Sequence, residues 1–202
     1  MKILSTRLTN WATRNSVIDE AQAGFQLGYS TVDNIFSLQA MIQKYTSKQK
    51  SRVCILYIDF FKAFDSCVHT ELWQSLQRKG IRTNNKLLLI FDSLCSQHRS
   101  CVKIRSGWSS HLTDFFDCTI GTKQGCVSST IIFNLFINIL CTLLKRHAKG
   151  GVFVSEDTGT INALLFADDV ATPADTVVYL QNQINHIEHF CDSTGMHINL
   201  PK

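Results

Sequence analysis

Three carboxylates stand where apolar runs end. Residues 163–166 (Ala, Leu, Leu, Phe) lead into Ala167-Asp168-Asp169, and the chain returns at once to Val170 and Ala171. A buried strand, an acidic tip and a second strand make a hairpin whose turn presents oxygen ligands. Asp59 closes a second apolar run, Val53-Cys54-Ile55-Leu56-Tyr57-Ile58. That run is too apolar to alternate and reads as a strand buried on both faces. If the two strands are neighbours, Asp59, Asp168 and Asp169 meet on one rim and repel unless divalent cations lie between them. The chemistry of such a cluster is two-metal phosphoryl or nucleotidyl transfer, one cation activating the attacking oxygen and the other stabilising the leaving group. Each acid also has a plainer reading. Asp-Asp between apolar runs can be a solvated turn, and Asp59 can cap the segment after it, residues 60–65.

The sequence around these acids supplies elements to position them. Ser30 and Thr31 read as a helix start, with Asp33 in the first turn, Val32, Ile35, Phe36, Ile42 and Tyr45 on one packing stripe, and Lys44 and Lys48 near the end. Thr70 is expected to cap a helix through Leu72, Trp73 and Leu76 that stops at Lys79-Gly80, and Thr83 to cap another over residues 87–94. Alternation in residues 101–105, a Ser106-Gly107 turn and an extended run over 115–118 make a hairpin. A polar loop, 121–125, leads into a helix over about 128–145. Strands follow around 152–154 and 161–166, and then Pro173 with Asp175 opens a helix through Val177, Leu180, Ile184, Ile187 and Phe190 that Gly195 ends. This order implies an α+β fold with a mainly antiparallel sheet rather than a repeating βα unit. No internal repeat or linker is visible, and the abrupt end at Asn199-Leu200-Pro201-Lys202 suggests a fragment.

At 202 residues and 45% hydrophobic composition the chain fits one domain with a filled core. Two prolines and ten glycines argue against disorder or a fibrous repeat. A formal charge of +4 and a pI near 8.6 admit a nucleic-acid partner. The eight cysteines fall in apolar segments without a Cys-x-x-Cys, so they read as reduced core residues of a cytosolic or nuclear protein. No membrane span is expected, because Asn134 and Asn138 interrupt the longest apolar run, 130–144. The seven histidines show no ligand spacing for zinc.

With Asp59, Gly121-Thr122-Lys123-Gln124-Gly125 and Phe166-Ala167-Asp168-Asp169 in that order, nearly the whole chain resembles the reverse transcriptase domain of non-LTR (LINE-type, jockey-like) retrotransposons. Gln22-Ala23-Gly24-Phe25 followed by Tyr29-Ser30-Thr31 is similar to the family's fingers motif, and residues 57–65 to its first palm motif. Gly195-Met196-His197-Ile198-Asn199 resembles the motif that follows the palm hairpin. The resemblance implies a right-hand polymerase fragment, with fingers over about 1–50 and 81–120, palm over about 51–80 and 121–202, and no thumb.

By the same resemblance, Asp59 and Asp168 hold two Mg²⁺ ions, or Mn²⁺ in their place, with Asp169 in support. An RNA template, a DNA primer and a dNTP are the implied partners, and no membrane. Phe64, with the adjoining Phe60, falls among the nucleotide-binding residues. Phe64 is the family's aromatic steric gate, whose ring against the sugar leaves no room for a 2′-hydroxyl; a core phenylalanine is its plainer reading. Gln124 and Gly125 are implied to lie under the nascent base pair and template. Lys202 resembles a lysine near the family's active site and is a candidate general acid.

Departures stand beside the likeness. Gln26 replaces the usual arginine after Gly-Phe, removing a guanidinium that can clasp a triphosphate. Ser128-Ser129-Thr130 replaces a Leu-Ser-Pro run. Nothing resembling a thumb or an endonuclease is present; those regions are expected to have belonged to a parent polyprotein, and this chain is expected to turn over poorly alone. Two rivals remain: a noncatalytic nucleic-acid-binding remnant of a reverse transcriptase, and a phosphoacceptor receiver domain, which the hairpin around Gly107 counts against.

Overall fold

An amphipathic helix opens the chain: in α1 (Lys2–Arg14), Leu8 and Ala12 are buried one turn apart, with Leu4 and Trp11 packed beside them. Leu4, Leu8, Trp11 and Ala12 recur at helical spacing, which puts them on one face. The computed structural model describes residues 1–47, 52–81, 85–107, 109–123 and 125–200. Next come α2 (Thr31–Thr46), β1 (Cys54–Ile58), a 3-10 turn (Ala63–Ser66), α3 (His69–Arg78) and α4 (Lys86–Ser96). Short strands β2 (Arg99–Ser100), β3 (Lys103–Ser106), β4 (Ser109–Leu112) and β5 (Phe116–Asp117) form two nested antiparallel pairs, β2 with β5 and β3 with β4. Helix α5 (Ser129–His147) is followed by β6 (Val152–Ser155), β7 (Gly159–Ile161), β8 (Leu164–Phe166), β9 (Asp169–Ala174) and α6 (Val177–Thr194).

The two acid-ended runs are neighbours. A three-stranded antiparallel sheet has the order β1-β9-β8, so β9 lies between the strand before Asp59 and the strand before Asp168. Helix α6 packs on β1 and β9, and α5 packs on α6, α3 and α1. The core gathers around α5, where Phe133, Phe136, Ile137 and Leu140 are fully buried and meet Phe190 of α6 and Leu72 and Leu76 of α3. By length and hydropathy α5 would also suit a membrane span, but two-thirds of it is buried in this protein. Its two buried asparagines have backbone partners. Asn134 donates to the Gly24 carbonyl at 2.7 Å, while Asn138 donates to Val17 at 2.7 Å and accepts from the Asp19 N–H at 2.8 Å.

Several local expectations are corrected. Strand β1 is not buried on both faces: it is an edge strand, and Tyr57 is 65% exposed. The Val32, Ile35 and Phe36 stripe of α2 faces solvent, and the helix packs instead through Met41, Leu38 and Tyr45. The start of α2 is as read, the Asp33 carboxylate accepting from the Ser30 N–H at 2.6 Å. Thr70 lies within α3, whose N-cap is Val68. Asn85 caps α4 by accepting from Leu87, while the expected cap Thr83 and the helix-end Lys48 fall outside the described residues. Pro173 belongs to β9, paired with Ile55 at a point past the end of β8 where the strand has a single neighbour and the missing N–H costs little. Thr176 caps α6, and Gly195 ends it at φ 71°. All eight cysteines are free thiols.

Candidate active site

The last pair in the β1/β9 register is Ile58 with Val170, so one step further Asp59 and Asp169 face each other across the strand ends. Phe166 pairs with Asp169, leaving Ala167 and Asp168 as the two turn residues of the β8–β9 hairpin. Asp59 and Asp169 are exposed and Asp168 is half-buried. Their proximity has an electrostatic signature. The Asp169 carboxyl is pushed up from its ordinary range, first by partial burial and then by the charges of Asp168 and Asp59. Among the described residues the ion pairs are Arg99 with Asp117 and Lys145 with Asp19 and Glu20, none of which neutralises the rim.

The acids line an open rim rather than a closed cage. Among the described residues no three His, Cys, Asp or Glu side chains are gathered tightly enough to wrap an ion by themselves. Asp59 is engaged by Asn199, whose Nδ2 donates to Asp59 Oδ2 at 2.8 Å. An open pair of carboxylates backed by a third, uncompensated in charge, nevertheless suits Mg²⁺. That ion is commonly held by one or two carboxylates together with substrate phosphates rather than by an all-protein site.

The segment after α6 buttresses the same rim. Phe60 bridges Ile198, Phe61 N–H donates to His197 at 2.8 Å, and Asn199 N–H donates to the Asp59 carbonyl at 2.8 Å. Phe60 departs from its expected place among the nucleotide-binding side chains: the residue is 3% exposed and its ring packs edge-on against Phe190 in the core. Phe64 is half-buried, stacked on Phe133 at 4.2 Å and met edge-on by Phe25 at 6.1 Å. The loop at 121–123 docks on this turn. Thr122 N–H donates to the Phe64 carbonyl at 2.8 Å, Gly121 N–H to Cys67 at 2.8 Å, and the Gly121 carbonyl lies 2.6 Å from His69 Nε2. A Cβ on Gly121 would come within 2.7 Å of the Asp65 carbonyl oxygen, and its φ of 83° also calls for glycine.

Gly125 has φ 77° at the head of the turn before α5. Gln124 and Lys202 lie outside the described residues. The Gln26 amide is engaged by backbone, donating to the carbonyls of Gln22 and Asp19. Two amides were not singled out in the sequence reading. Asn199 holds Asp59, and Gln22 binds the backbone of Ala167, through which the tip of the hairpin passes. Both lie in the motifs quoted above, but their bracing roles are not marked there, since their partners are far away in sequence.

The reverse transcriptase (RNA-dependent DNA polymerase) family model matches residues 1–202. The chain belongs to the reverse transcriptase family. It is 31% identical to the Retrovirus-related Pol polyprotein from type-1 retrotransposable element R2 of Popillia japonica, over 88% of this chain and 24% of that protein. It is 27% identical to the corresponding polyprotein of Nasonia vitripennis, over 94% of this chain and 17% of that one. It thus spans about a quarter or less of the curated relatives it matches. Among solved structures, apo telomerase from Candida tropicalis truncated from its C-terminal domain has a TM-score of 0.63 at 16% identity, over 98% of this chain and 38% of that one. Telomerase from Candida albicans in complex with a TWJ fragment of telomeric RNA has 0.62 at 12% identity, over 98% and 33%. These likenesses establish the fold: an α+β reverse transcriptase fragment with antiparallel pairing between the two acid-bearing strands.

Proposed function

We propose that this reverse transcriptase fragment carries the nucleotidyl-transfer centre of an RNA-directed DNA polymerase, adding a dNTP to a primer 3′-hydroxyl on an RNA template. What supports this reading is the strand register, which sets Asp59 opposite Asp169 at the ends of β1 and β9 with Asp168 in the adjoining turn. Asp59 and Asp168 would hold two divalent cations, Mg²⁺ or Mn²⁺, with Asp169 lowering the local potential beside them. Bound there, the cations supply activation of the attacking hydroxyl and charge stabilisation of the leaving pyrophosphate. Asn199 fixes the Asp59 carboxylate, and the Phe64 ring, braced by Phe133, limits the space beside the sugar. The loop at 121–122, docked on the turn that carries Phe64, would lie beside a nascent base pair. The basic balance of +4 supports a nucleic-acid partner, as does the RNA complex of the telomerase neighbour. Fingers over about 1–50 and 81–120 and palm over the remainder are the corresponding division of the chain.

Primer extension on an RNA template with Mg²⁺ tests the reading. Asp168→Ala should lower extension roughly a thousandfold, since several kcal/mol of transition-state stabilisation are lost. Equal extension by both chains would remove the catalytic role of Asp168. Gln26, which stands where the family has an arginine and whose amide is taken up by backbone carbonyls, favours a second reading, a nucleic-acid-binding remnant with weak nucleotide affinity. Calorimetry that detects duplex binding but neither Mg²⁺ nor dNTP binding would select it.

A further inference from the structure

The acidic tip is held from outside its own hairpin. Ala167, the first of the two turn residues, has φ 57°, a left-handed conformation that glycine adopts freely and alanine does not. The side chain of Gln22, fully buried, engages both backbone groups of that one residue. Its Oε1 accepts from the Ala167 N–H at 3.0 Å and its Nε2 donates to the Ala167 carbonyl at 2.9 Å. Because the amide is rigid and planar, paired bonds of this kind fix the orientation of both peptides flanking Ala167.

The Gln22 amide is itself anchored. Oε1 also accepts from Gly24 N–H at 2.7 Å, so its acceptor and donor ends are assigned without ambiguity. Residues 21–23 run alongside β8 as an extra edge, with Ala23 N–H donating to Leu165 at 2.8 Å and Leu165 N–H donating to Ala21 at 2.7 Å. Gly24 lets the two segments approach: a Cβ there would lie 2.2 Å from the Ala167 nitrogen. Asn134 then ties the Gly24 carbonyl to α5. The chain from α5 through Gly24 and Gln22 to Ala167 is hydrogen-bonded throughout, and Asp168 is the next residue.

We propose that Gln22 is a positioning residue for the acidic tip: its amide enforces the left-handed turn at Ala167 and thereby the direction in which Asp168 faces Asp59. The inference rests on the polymerase reading of the three acids and deepens it, assigning cation affinity in part to a residue that touches neither cation nor substrate.

The test measures Mn²⁺ affinity of the folded 202-residue chain by electron paramagnetic resonance, with amide exchange at residue 167 read in parallel. Gln22→Met, equal in length but without hydrogen bonds, should weaken Mn²⁺ binding about tenfold or more and speed exchange at Ala167. Adding Ala167→Gly to it should recover most of the affinity, because glycine takes the turn unaided, while the unfolding midpoint stays well below the parent's, since the buried bonds of the Gln22 amide remain lost. A purely structural role would not produce that separation. Gln22→Glu covers the case in which the methionine variant does not fold: at this depth its carboxyl stays protonated, keeps a donor and an acceptor, and should bind Mn²⁺ within a few-fold of the parent. Parent-like Mn²⁺ affinity in Gln22→Met, or no recovery with glycine, overturns the positioning role while leaving the site intact. Parent-like affinity in Asp168→Ala instead overturns the site on which the proposal rests.

Discussion

Asp169 is the most exposed of the consequences of crowding three carboxylates. Its raised pKa means that the folded chain holds this proton more tightly than the unfolded chain does. The stability it contributes is therefore full below the ordinary carboxylate range and is lost as pH rises through the raised value. Asp169→Asn should raise the melting temperature of the cation-free chain at pH 7 and leave it unchanged at pH 3, as calorimetric scans at the two pH values would record. Cation binding should weaken as pH falls into the same range, protons and cations competing for one rim. Phe64 makes a second residue-scale case. Phe64→Val should raise ribonucleotide incorporation relative to deoxyribonucleotide by about tenfold or more, the loss of ~1.4 kcal/mol of discrimination, measured by single-nucleotide extension with each substrate. At this scale the acids were legible because each closes an apolar run. Phe60 was misassigned because an aromatic beside a catalytic acid looks the same in sequence whether it faces the cleft or, as here, Phe190.

The elements that position these residues were read unevenly. Helix starts and stops with a local chemical cause were legible, such as the Ser30–Asp33 cap of α2 and the Gly195 end of α6. Features decided by neighbours were not. Pro173 reads locally as a helix opener, yet pairing with Ile55 keeps it in β9, and the edge position of β1 exposes Tyr57 despite an apolar run. The asparagines of α5 show the same limit: in sequence they interrupt an apolar stretch, whereas in the fold Asn134 joins the helix to Gly24 of the fingers motif and Asn138 joins it to the segment before that motif. Asn138→Leu leaves the Val17 carbonyl and Asp19 N–H without their buried partner. It should cost about 2–4 kcal/mol in urea unfolding, with the site acids themselves untouched.

For the whole molecule, the three-stranded sheet is small, and it is held by α6, which packs on β1 and β9 and is itself backed by α5, and by α2, which packs on β8. This arrangement leaves the acid-bearing ends of β1 and β9 open to solvent on one side and braced from two others, by residues 21–24 and by residues 197–199. The brace from residues 197–199 returns from beyond α6, so the rim is complete only when a long stretch of chain has folded. The overall class was legible because acid, loop and acidic-hairpin motifs recur in the family order. The bracing was not, since it joins backbone atoms separated by most of the sequence. The most direct measurement is a crystal structure of the chain grown with Mn²⁺ and a dNTP, with the ions located by their anomalous scattering. Mn²⁺ bound between the carboxylates of Asp59 and Asp168 is the expected result. Mn²⁺ absent from that rim, with Asp59 still engaged only by Asn199 and the nucleotide bound elsewhere or not at all, would contradict a nucleotidyl-transfer centre at these three acids.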